Sequence, residues 1–297
     1  MGRDVAEYDK EIMDLWRLAE KKTGAGLREI FWDGDQEAMT QTRYQQPALC
    51  VVGLGLWKHL SAKLRPGAVA GHSVGEFTAL AAAEVMSVEA TLELVSLRGR
   101  LMYEAGAQRA GGMAAVLKLG EEDVQNIVQE VCAQTEDTLC VANFNSPQQI
   151  VISGAQAAVE LASEKVRDKK GRCKSLPVSG AFHSELMREP ARELAQVMRR
   201  MNWHDPRIAV HLNVTGTAVT KAQDILDIMQ KQMISPVCWS QIIFDQWEQG
   251  VRSWWELGPK GVLTRLMRHI LKDMDEAWEA ECLSTLQDAA QMRDRLE

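Results

Sequence analysis

A serine between two glycines is the strongest chemical signal in the sequence. Gly71-His72-Ser73-Val74-Gly75 follows the short apolar run 68–70 and precedes a run of helix-forming residues, 76–83. This pattern between a strand and a helix is typical of a nucleophile elbow, a sharp turn that exposes the serine hydroxyl. Backbone N–H groups at the helix start can stabilise an oxyanion, so the pattern predicts acyl chemistry at Ser73. We expect Gly71 and Gly75 to be required because residues without a Cβ let strand and helix pass closely.

A serine hydroxyl needs a neighbouring base, and six histidines are available. His183 follows the serine along the chain, which is the order found in α/β-hydrolase-like enzymes. His72 adjoins Ser73, but neighbours on a sharp turn point apart, so we expect His72 to be structural or to line the pocket. The other four carry no partner signal and are interpreted as surface or core residues: His59, His204, His211 and His269. Spacing alone favours His183 without deciding the matter.

The elements that must position these residues alternate between helical and strand patterns over most of the 297 residues. Such alternation favours an α/β fold with a largely parallel sheet. With the elbow, it predicts an α/β-hydrolase-like parallel-sheet domain. We expect a polar helix over residues 4–22, a buried helix over 48–60 that Pro47 opens, and strands at 68–70, 209–212 and 254–257.

Residues 110–179 have a different texture and predict an inserted unit. Strand patterns occupy residues 113–117, 139–142, 150–153 and 173–178, and helical patterns occupy 121–131 and 155–169. This β-α-β-β-α-β order is typical of a ferredoxin-like subdomain. We therefore predict a discontinuous catalytic domain, residues 1–109 and 180–297, and a small subdomain at 110–179 that ends at the Ser179-Gly180 loop.

The composition excludes several classes of function. With 34 basic and 41 acidic side chains the net charge is -7, which argues against a nucleic-acid binder, since such proteins neutralise phosphates. The longest apolar stretch, residues 47–57, is too short to span a bilayer. Six scattered cysteines without a Cys-x-x-Cys pair indicate free thiols in a reducing cytosol, with neither disulfides nor a zinc site. The charged N-terminus has no apolar core, so it is unlike a signal peptide.

Eight ordered motifs make the sequence resemble the malonyl-CoA:acyl carrier protein transacylases, the FabD-like acyltransferases of fatty-acid and polyketide synthesis. The first is the elbow with Glu76. The others are spread along most of the chain: Gln46-Pro47-Ala48-Leu49, Leu97-Arg98-Gly99, Gly112-Met113-Ala114-Ala115, Asn143-Phe144-Asn145-Ser146-Pro147, Ala181-Phe182-His183-Ser184, Gln232 with Ser235-Pro236-Val237-x-Trp239, and Glu256-Leu257-Gly258-Pro259.

The resemblance implies a role for each site residue. Ser73 is implied to be the acylated nucleophile and His183 its general base, while Arg98 is implied to grip the malonyl carboxylate through two N–H donors. The Val74 N–H is implied to bind the oxyanion, and the backbone carbonyl of Gln232 to orient the imidazole. No triad acid is implied. The further substrate-binding candidates are Gln46, His72, Met113, Asn145 and Phe182.

The reaction and its partners follow from the same resemblance. It implies ping-pong transfer of malonyl from malonyl-CoA to the phosphopantetheine thiol of acyl carrier protein. It implies no metal or bound cofactor and favours a monomer, while the free thiols, the net charge and the short apolar stretches lead us to expect a cytoplasmic protein without nucleic-acid or membrane partners. Phe182 is expected to disfavour methylmalonyl by filling the room of the α-methyl group. Carrier proteins are acidic, so we expect a local basic patch, with Arg172 and Lys174 as candidates.

Two alternatives and one departure remain. The chain could be a serine thioesterase or esterase, or an impaired paralogue that binds carrier proteins without catalysis. Family members begin with a strand and a loop reading F-P-G-Q-G-[SA]-Q, whose glutamine supplies the second oxyanion donor. Met1-Gly2-Arg3-Asp4 resembles only the end of that stretch. We expect either an earlier natural start or an impaired chain, and favour the former because the downstream motifs are intact.

Overall fold

The computed structural model describes residues 1–178 and 180–295 as a mixed α/β fold. Its strands, numbered along the chain, are β1 Ala68–Ala70, β2 Gly111–Leu117, β3 Leu139–Ser146, β4 Gln149–Ala155, β5 Arg172–Ser175, β6 Ala209–His211, β7 Ala218–Val219, β8 Ser253–Leu257 and β9 Glu279–Leu283. Its α-helices are α1 Arg3–Tyr8, α2 Lys10–Thr23, α3 Gln36–Thr40, α4 Thr42–Ser61, α5 Gly75–Ala82, α6 Val88–Gln108, α7 Glu121–Thr135, α8 Gln156–Asp168, α9 Arg188–Met198, α10 Ala222–Met229, α11 Trp239–Glu248, α12 Val262–Ile270 and α13 Leu286–Arg295. Short turns of other helix types occupy Glu29–Gly34, Glu185–Met187 and Gln232–Ile234.

The main domain contains two small sheets, each built around one parallel pair of strands. β1 pairs with β6 in parallel, β6 pairs with β7 in antiparallel, and β8 pairs with β9 in parallel. The predicted fold class is confirmed, and the predicted strands at 68–70, 209–212 and 254–257 correspond to β1, β6 and β8. The sequence did not predict β7 or β9, and β7 makes the sheet of β1 and β6 mixed where a parallel one was expected.

A groove lies between the two small sheets of the main domain. Among the described residues, β1 pairs only with β6 and β8 pairs only with β9, and residues of both β1 and β8 line one cavity of about 540 Å³. Its walls are mostly apolar, with Val69 on one side and Trp255 on the other, and Val74 and Gly75 of the elbow lie along it. The elbow therefore lies beside a space that separates two strand edges.

The predicted β-α-β-β-α-β unit forms its own antiparallel sheet, in the strand order β3-β4-β2-β5. Its helices α7 and α8 pack on that sheet over a separate apolar core that includes Val116, Ile127, Ile150 and Val166. This element and strand order is that of a ferredoxin-like unit. The exact domain division remains a prediction, and its boundary residue Ser179 lies outside the described residues, as do residues 296 and 297.

Two helix predictions need correction. The buried helix does not open at Pro47, because α4 begins five residues earlier at Thr42. Near a helix start, a proline removes a single backbone hydrogen bond, so the helix continues through it. The polar stretch 4–22 is two helices, since the chain turns extended at Asp9, whose side chain accepts the Glu11 N–H and caps α2. The early start of α4 brings Gln46 into a helix that packs on α6, the helix of Arg98.

Candidate active site

The elbow forms as predicted between β1 and α5. Ser73 has a positive φ of 52°, a strained conformation for a residue with a side chain. A Cβ on Gly71 would lie 2.0 Å from the backbone carbon of Gly75, so only glycine fits at position 71. A Cβ on Gly75 would meet no atom within 4 Å. The expectation that a close approach of strand and helix requires a glycine at position 75 is therefore wrong. Gly75 instead faces the groove.

His183 is the histidine that the fold brings to the serine. Its Nε2 lies 2.8 Å from Ser73 Oγ, and its Nδ1 lies 3.1 Å from the Gln232 carbonyl and 3.0 Å from the Ser235 carbonyl. A carbonyl can only accept, so Nδ1 carries the proton and Nε2 is the free acceptor for the Ser73 hydroxyl. Two backbone carbonyls therefore fix the tautomer that a general base requires, in the place where a triad acid would otherwise act.

The surroundings keep His183 neutral. Burial, and after it the positive charge of Arg98, lower the pKa of His183 to about 3. Burial also lowers the pKa of the neighbouring His72. An uncharged imidazole at neutral pH has a free lone pair on Nε2, which can accept the serine proton.

Arg98 is a buried cation beside the nucleophile. It is 1% exposed, and its Nη2 donates to Ser73 Oγ at 3.0 Å. Its Nη1 donates to Gln46 Oε1 at 2.6 Å, while Nε and Nη2 donate to Gln232 Oε1 at 3.2 and 3.1 Å. Burial lowers the pKa of Arg98 to about 10, which leaves the guanidinium charged at neutral pH. Neutral amides therefore hold this cation, and no carboxylate of the described residues forms an ion pair with it.

The start of α5 leaves one amide for an oxyanion. The Ser73 N–H donates to Asn213 Oδ1 at 2.7 Å, and the Gly75 N–H donates to the His72 carbonyl at 3.0 Å. The amide of Val74 lies between these two engaged groups, next to the serine. This placement agrees with its predicted use as an oxyanion donor.

The remaining candidates lie at different distances from the chemistry. His72 Nε2 donates to Asn145 Oδ1 at 2.8 Å, so these two candidates hold each other. Phe182 adjoins His183 and is 8% exposed. Met113 is buried in the main core on β2. Gln46 reaches the site by holding Arg98. The roles themselves remain predictions.

Asn213 was missed by the sequence reasoning, although it holds the elbow. Its Nδ2 donates to the Gly71 carbonyl at 2.7 Å while its Oδ1 accepts the Ser73 N–H. A positional signal existed: Asn213 comes two residues after β6, and β6 is the parallel neighbour of β1. The carboxyl ends of parallel neighbours meet at one edge of a sheet, so a polar residue there lies near the elbow.

Glu76 follows the elbow in the family motif, but the sequence predicts no role for it. Its side chain is fully buried below the elbow and accepts hydrogen bonds from the backbone of Asn213 and the side chain of Gln232. Burial raises the pKa of Glu76 to about 7. A carboxylate among the apolar neighbours Phe77 and Leu80 was the available sequence signal, because buried acids are rare without a partner.

The described part of the chain offers neither a metal-binding cluster nor a membrane-crossing helix. Within residues 1–178 and 180–295, no group of three or more His, Cys, Asp or Glu side chains is arranged to hold a metal ion. None of the helices in these ranges combines the length and apolar character needed to cross a bilayer.

A serine on a nucleophile elbow, a neutral histidine and a buried arginine on an α/β fold define a serine-dependent acyl-transferring enzyme. Comparison with known proteins narrows this class. The model of the acyl transferase domain matches residues 1–295, and the chain belongs to that family.

Relatives and solved structures point the same way. The chain is 33% identical over 279 residues to a malonyl CoA-acyl carrier protein transacylase of Haemophilus influenzae, covering 92% of this chain and 88% of that one. It superposes on the crystal structure of malonyl-CoA:acyl carrier protein transacylase (FabD) from Xanthomonas oryzae pv. oryzae with a TM-score of 0.91 and 34% identity, covering 99% and 93% of the two chains. A malonyl-transacylase in complex with a type II PKS acyl-carrier protein, PlMCAT:AntF, gives a TM-score of 0.92 at 30% identity, covering 99% and 94%.

Proposed function

We propose that this enzyme transfers a malonyl group from malonyl-CoA to the phosphopantetheine thiol of an acyl carrier protein through a malonyl-serine. The relatives named above carry that activity in their names. One observation in this chain supports it most directly. A cation that is 1% exposed, held only by neutral groups, donates a hydrogen bond to the nucleophile itself.

The buried cation distinguishes this substrate from a neutral acyl group. Burying a charge costs free energy that a paired anion offsets, and the ligands of Arg98 are two amide oxygens and a hydroxyl. A malonyl thioester has a free carboxylate two bonds from the carbonyl that Ser73 attacks. Binding of that carboxylate at the guanidinium supplies the missing anion and holds the carbonyl at Ser73 Oγ. An esterase for neutral acyl groups would have no use for this cation.

The proposed reaction proceeds in two balanced half-reactions. The Ser73 hydroxyl gives its proton to His183 Nε2 as Oγ bonds to the thioester carbon, and the oxyanion that forms lies at the Val74 N–H. The carbon–sulfur bond then breaks, and the departing CoA sulfur takes the proton from Nε2. In the second half-reaction, His183 Nε2 takes the proton of the carrier thiol. The thiol sulfur attacks the malonyl-serine, and Ser73 Oγ leaves with that proton.

Mass spectrometry of the first half-reaction tests the proposal. Malonyl-CoA alone should leave one malonyl group on Ser73, and holo acyl carrier protein should then remove it as malonyl-carrier. The Ser73→Ala variant, which keeps every other group of the site, should form no adduct. Free malonate as the dominant product would favour a thioesterase, and the absence of any adduct on the wild-type chain would favour a binding protein without catalysis.

We further propose that the carrier docks on a basic surface of the subdomain, formed by Arg167, Arg172 and Lys174. These three residues surround one surface hollow at the edge strand β5 and are exposed. None of them forms an ion pair with a described residue, so their charges are available to an acidic partner. β5 also leads directly into the loop that carries His183. Charge complementarity of this kind steers association more than it adds affinity.

Separate measurement of the half-reactions tests this docking surface. The charge reversals Arg172→Glu and Lys174→Glu should raise the carrier concentration needed for transfer and leave acylation by malonyl-CoA unchanged. Lys10→Glu makes the same change in charge at an exposed position of α2 and serves as the matched control. Equal effects of all three variants would mean that only net charge matters, which would contradict a specific surface.

The remaining properties are proposed with the same reaction. The steps above require no metal or bound cofactor. We propose that the enzyme acts as a monomer in the cytoplasm, where its six cysteines, all free in the structure, would remain reduced. Light scattering of the purified protein tests the monomer.

A further inference from the structure

The Glu76 carboxylate lies at the base of the elbow, and the proposed chemistry does not use it. It is fully buried, and both of its oxygens are engaged. Oε1 accepts the backbone N–H of Asn213 at 2.7 Å, and Oε2 accepts Gln232 Nε2 at 2.8 Å. Neither partner is a cation, so any effect of Glu76 on the site by direct contact must act through Asn213 and Gln232.

The first contact leads to the strained turn. Asn213 donates from Nδ2 to the Gly71 carbonyl and accepts the Ser73 N–H at Oδ1, both at 2.7 Å. These bonds connect the two sides of a turn in which Ser73 has a positive φ. A strained conformation persists only where its surroundings enforce it, and Glu76 holds the backbone of the residue that does so.

The second contact leads to the other two groups of the site. Gln232 Nε2 donates to Glu76 Oε2 and to the Ser73 carbonyl, both at 2.8 Å. Both partners are acceptors, so the amide must present its NH₂ to them and its oxygen to the opposite side. There Oε1 accepts Nε and Nη2 of Arg98. The backbone carbonyl of the same residue accepts the proton on His183 Nδ1.

From this geometry we propose that Glu76 is a positioning residue, which sets the orientation of the Gln232 amide and the place of Asn213. Through them it aligns Ser73, His183 and Arg98 with one another. One of its tests, the comparison of acylation by malonyl-CoA and acetyl-CoA, rests on the function proposed above. It assigns Glu76 no contact with substrate.

The substitution Glu76→Gln tests this role, because it keeps the shape and replaces one acceptor by a donor. If the new amide keeps its oxygen on the Asn213 N–H, its NH₂ faces the NH₂ of Gln232. The Gln232 amide must then turn and lose Arg98. Leaving such buried groups unsatisfied should slow acylation by malonyl-CoA by about 10- to 100-fold. Acylation by acetyl-CoA, which has no carboxylate for Arg98, should fall less, so the malonyl-to-acetyl ratio should drop.

A double-mutant cycle separates positioning from general loss of stability. In the Gln232→Ala background, where the amide is already gone, Glu76→Gln should change the malonyl-to-acetyl ratio by less than about twofold. The proposal would be overturned if the effects of Glu76→Gln and Gln232→Ala on the ratio multiplied in the double variant. It would also be overturned if Glu76→Gln alone left the ratio unchanged. If Glu76→Gln fails to fold, Gln232→Leu replaces it. This variant keeps the volume of the side chain, and in a folded protein, checked by circular dichroism, it should lower the malonyl-to-acetyl ratio. An unchanged ratio would overturn the proposal.

A readout without malonyl keeps the proposal separate from the proposed function. A sulfonyl fluoride labels an activated serine, forming an Oγ–S bond as fluoride leaves and His183 takes the proton. Labelling of Ser73 should be at least about 10-fold slower in Glu76→Gln than in the wild type. If the wild type forms no malonyl adduct but labelling falls as expected, only the proposed function fails. If the adduct forms normally and labelling is unchanged, only the positioning role fails.

Discussion

Removal of the Arg98 guanidinium should separate two substrates that differ by one carboxylate. Arg98 is 1% exposed, so solvent does not screen its charge. Truncating one partner of a buried, hydrogen-bonded charge pair typically costs about 2 to 5 kcal/mol. At about 1.4 kcal/mol per factor of ten, Arg98→Ala should lower kcat/KM for malonyl-CoA about 30- to 4000-fold. The upper part of this range is expected, because three nitrogens of the guanidinium are already positioned by Gln46, Gln232 and Ser73.

Rapid-quench acylation with two thioesters measures the effect. Acetyl-CoA has no carboxylate, so Arg98→Ala should change its acylation rate far less than that of malonyl-CoA. Arg98→Lys keeps a charge but not the planar pair of donors, so an intermediate loss is expected. Arg100→Ala removes an exposed arginine of the same helix, whose partners are Glu104 and Glu193, and should leave both rates unchanged.

One result would refute this reasoning. If Arg98→Ala lowered acylation by malonyl-CoA and acetyl-CoA equally, the guanidinium would serve only to hold the Ser73 hydroxyl. Circular dichroism and the melting temperature distinguish that outcome from unfolding. A malonyl-specific loss in a folded variant would support the carboxylate role.

Two further predictions concern the acyl pocket and the base. Phe182→Ser should raise acylation by methylmalonyl-CoA relative to malonyl-CoA by about 10- to 100-fold, as one pocket group allows, and an unchanged ratio would place Phe182 outside the acyl pocket. Because the pKa of His183 is lowered to about 3 from 6.5, the unfolded chain takes up a proton below pH 6.5 that the folded chain does not, so stability is lost as pH falls through this window. Urea unfolding should show wild type losing about 2 kcal/mol more than His183→Gln between pH 7 and pH 5, and parallel curves would contradict the low pKa.

Local patterns were sufficient to predict most of the fold. The elbow and the subdomain elements have strong periodicity and clear turn residues, and their order identified the ferredoxin-like unit. β7 has two residues, too few for any alternation. β9 reads Glu279–Leu283 with two acidic residues, and it becomes a strand through its parallel pairing with β8, a contact that no local window contains. Tertiary pairing overrides weak propensity in such segments.

The site could be predicted where a residue has a chemical reason of its own. Ser73 has its glycine pattern, and the family motifs add His183 and Arg98. Asn213 and Glu76 act on the backbone and on other side chains, so their role exists only in the folded arrangement. The expectation that Gly75 must be a glycine was also wrong because of the folded arrangement. Of the two elbow glycines, only Gly71 has a Cβ position that would clash with other atoms.

The placement of Gln232 between Glu76 and Arg98 explains how one site can hold a buried cation ready for an anion. Direct contact with Glu76 would neutralise the guanidinium, and a substrate carboxylate would then have to displace an ion pair. With an amide between them, the carboxylate still favours the charged form of Arg98, while the acceptors that touch the guanidinium are all neutral. The Coulomb attraction between Glu76 and Arg98 acts across the amide because it weakens only gradually with distance in a dry interior. A direct hydrogen bond between the two would require contact. The spacer thus preserves charge compensation without an ion pair, so a substrate carboxylate has only neutral acceptors to displace from Arg98.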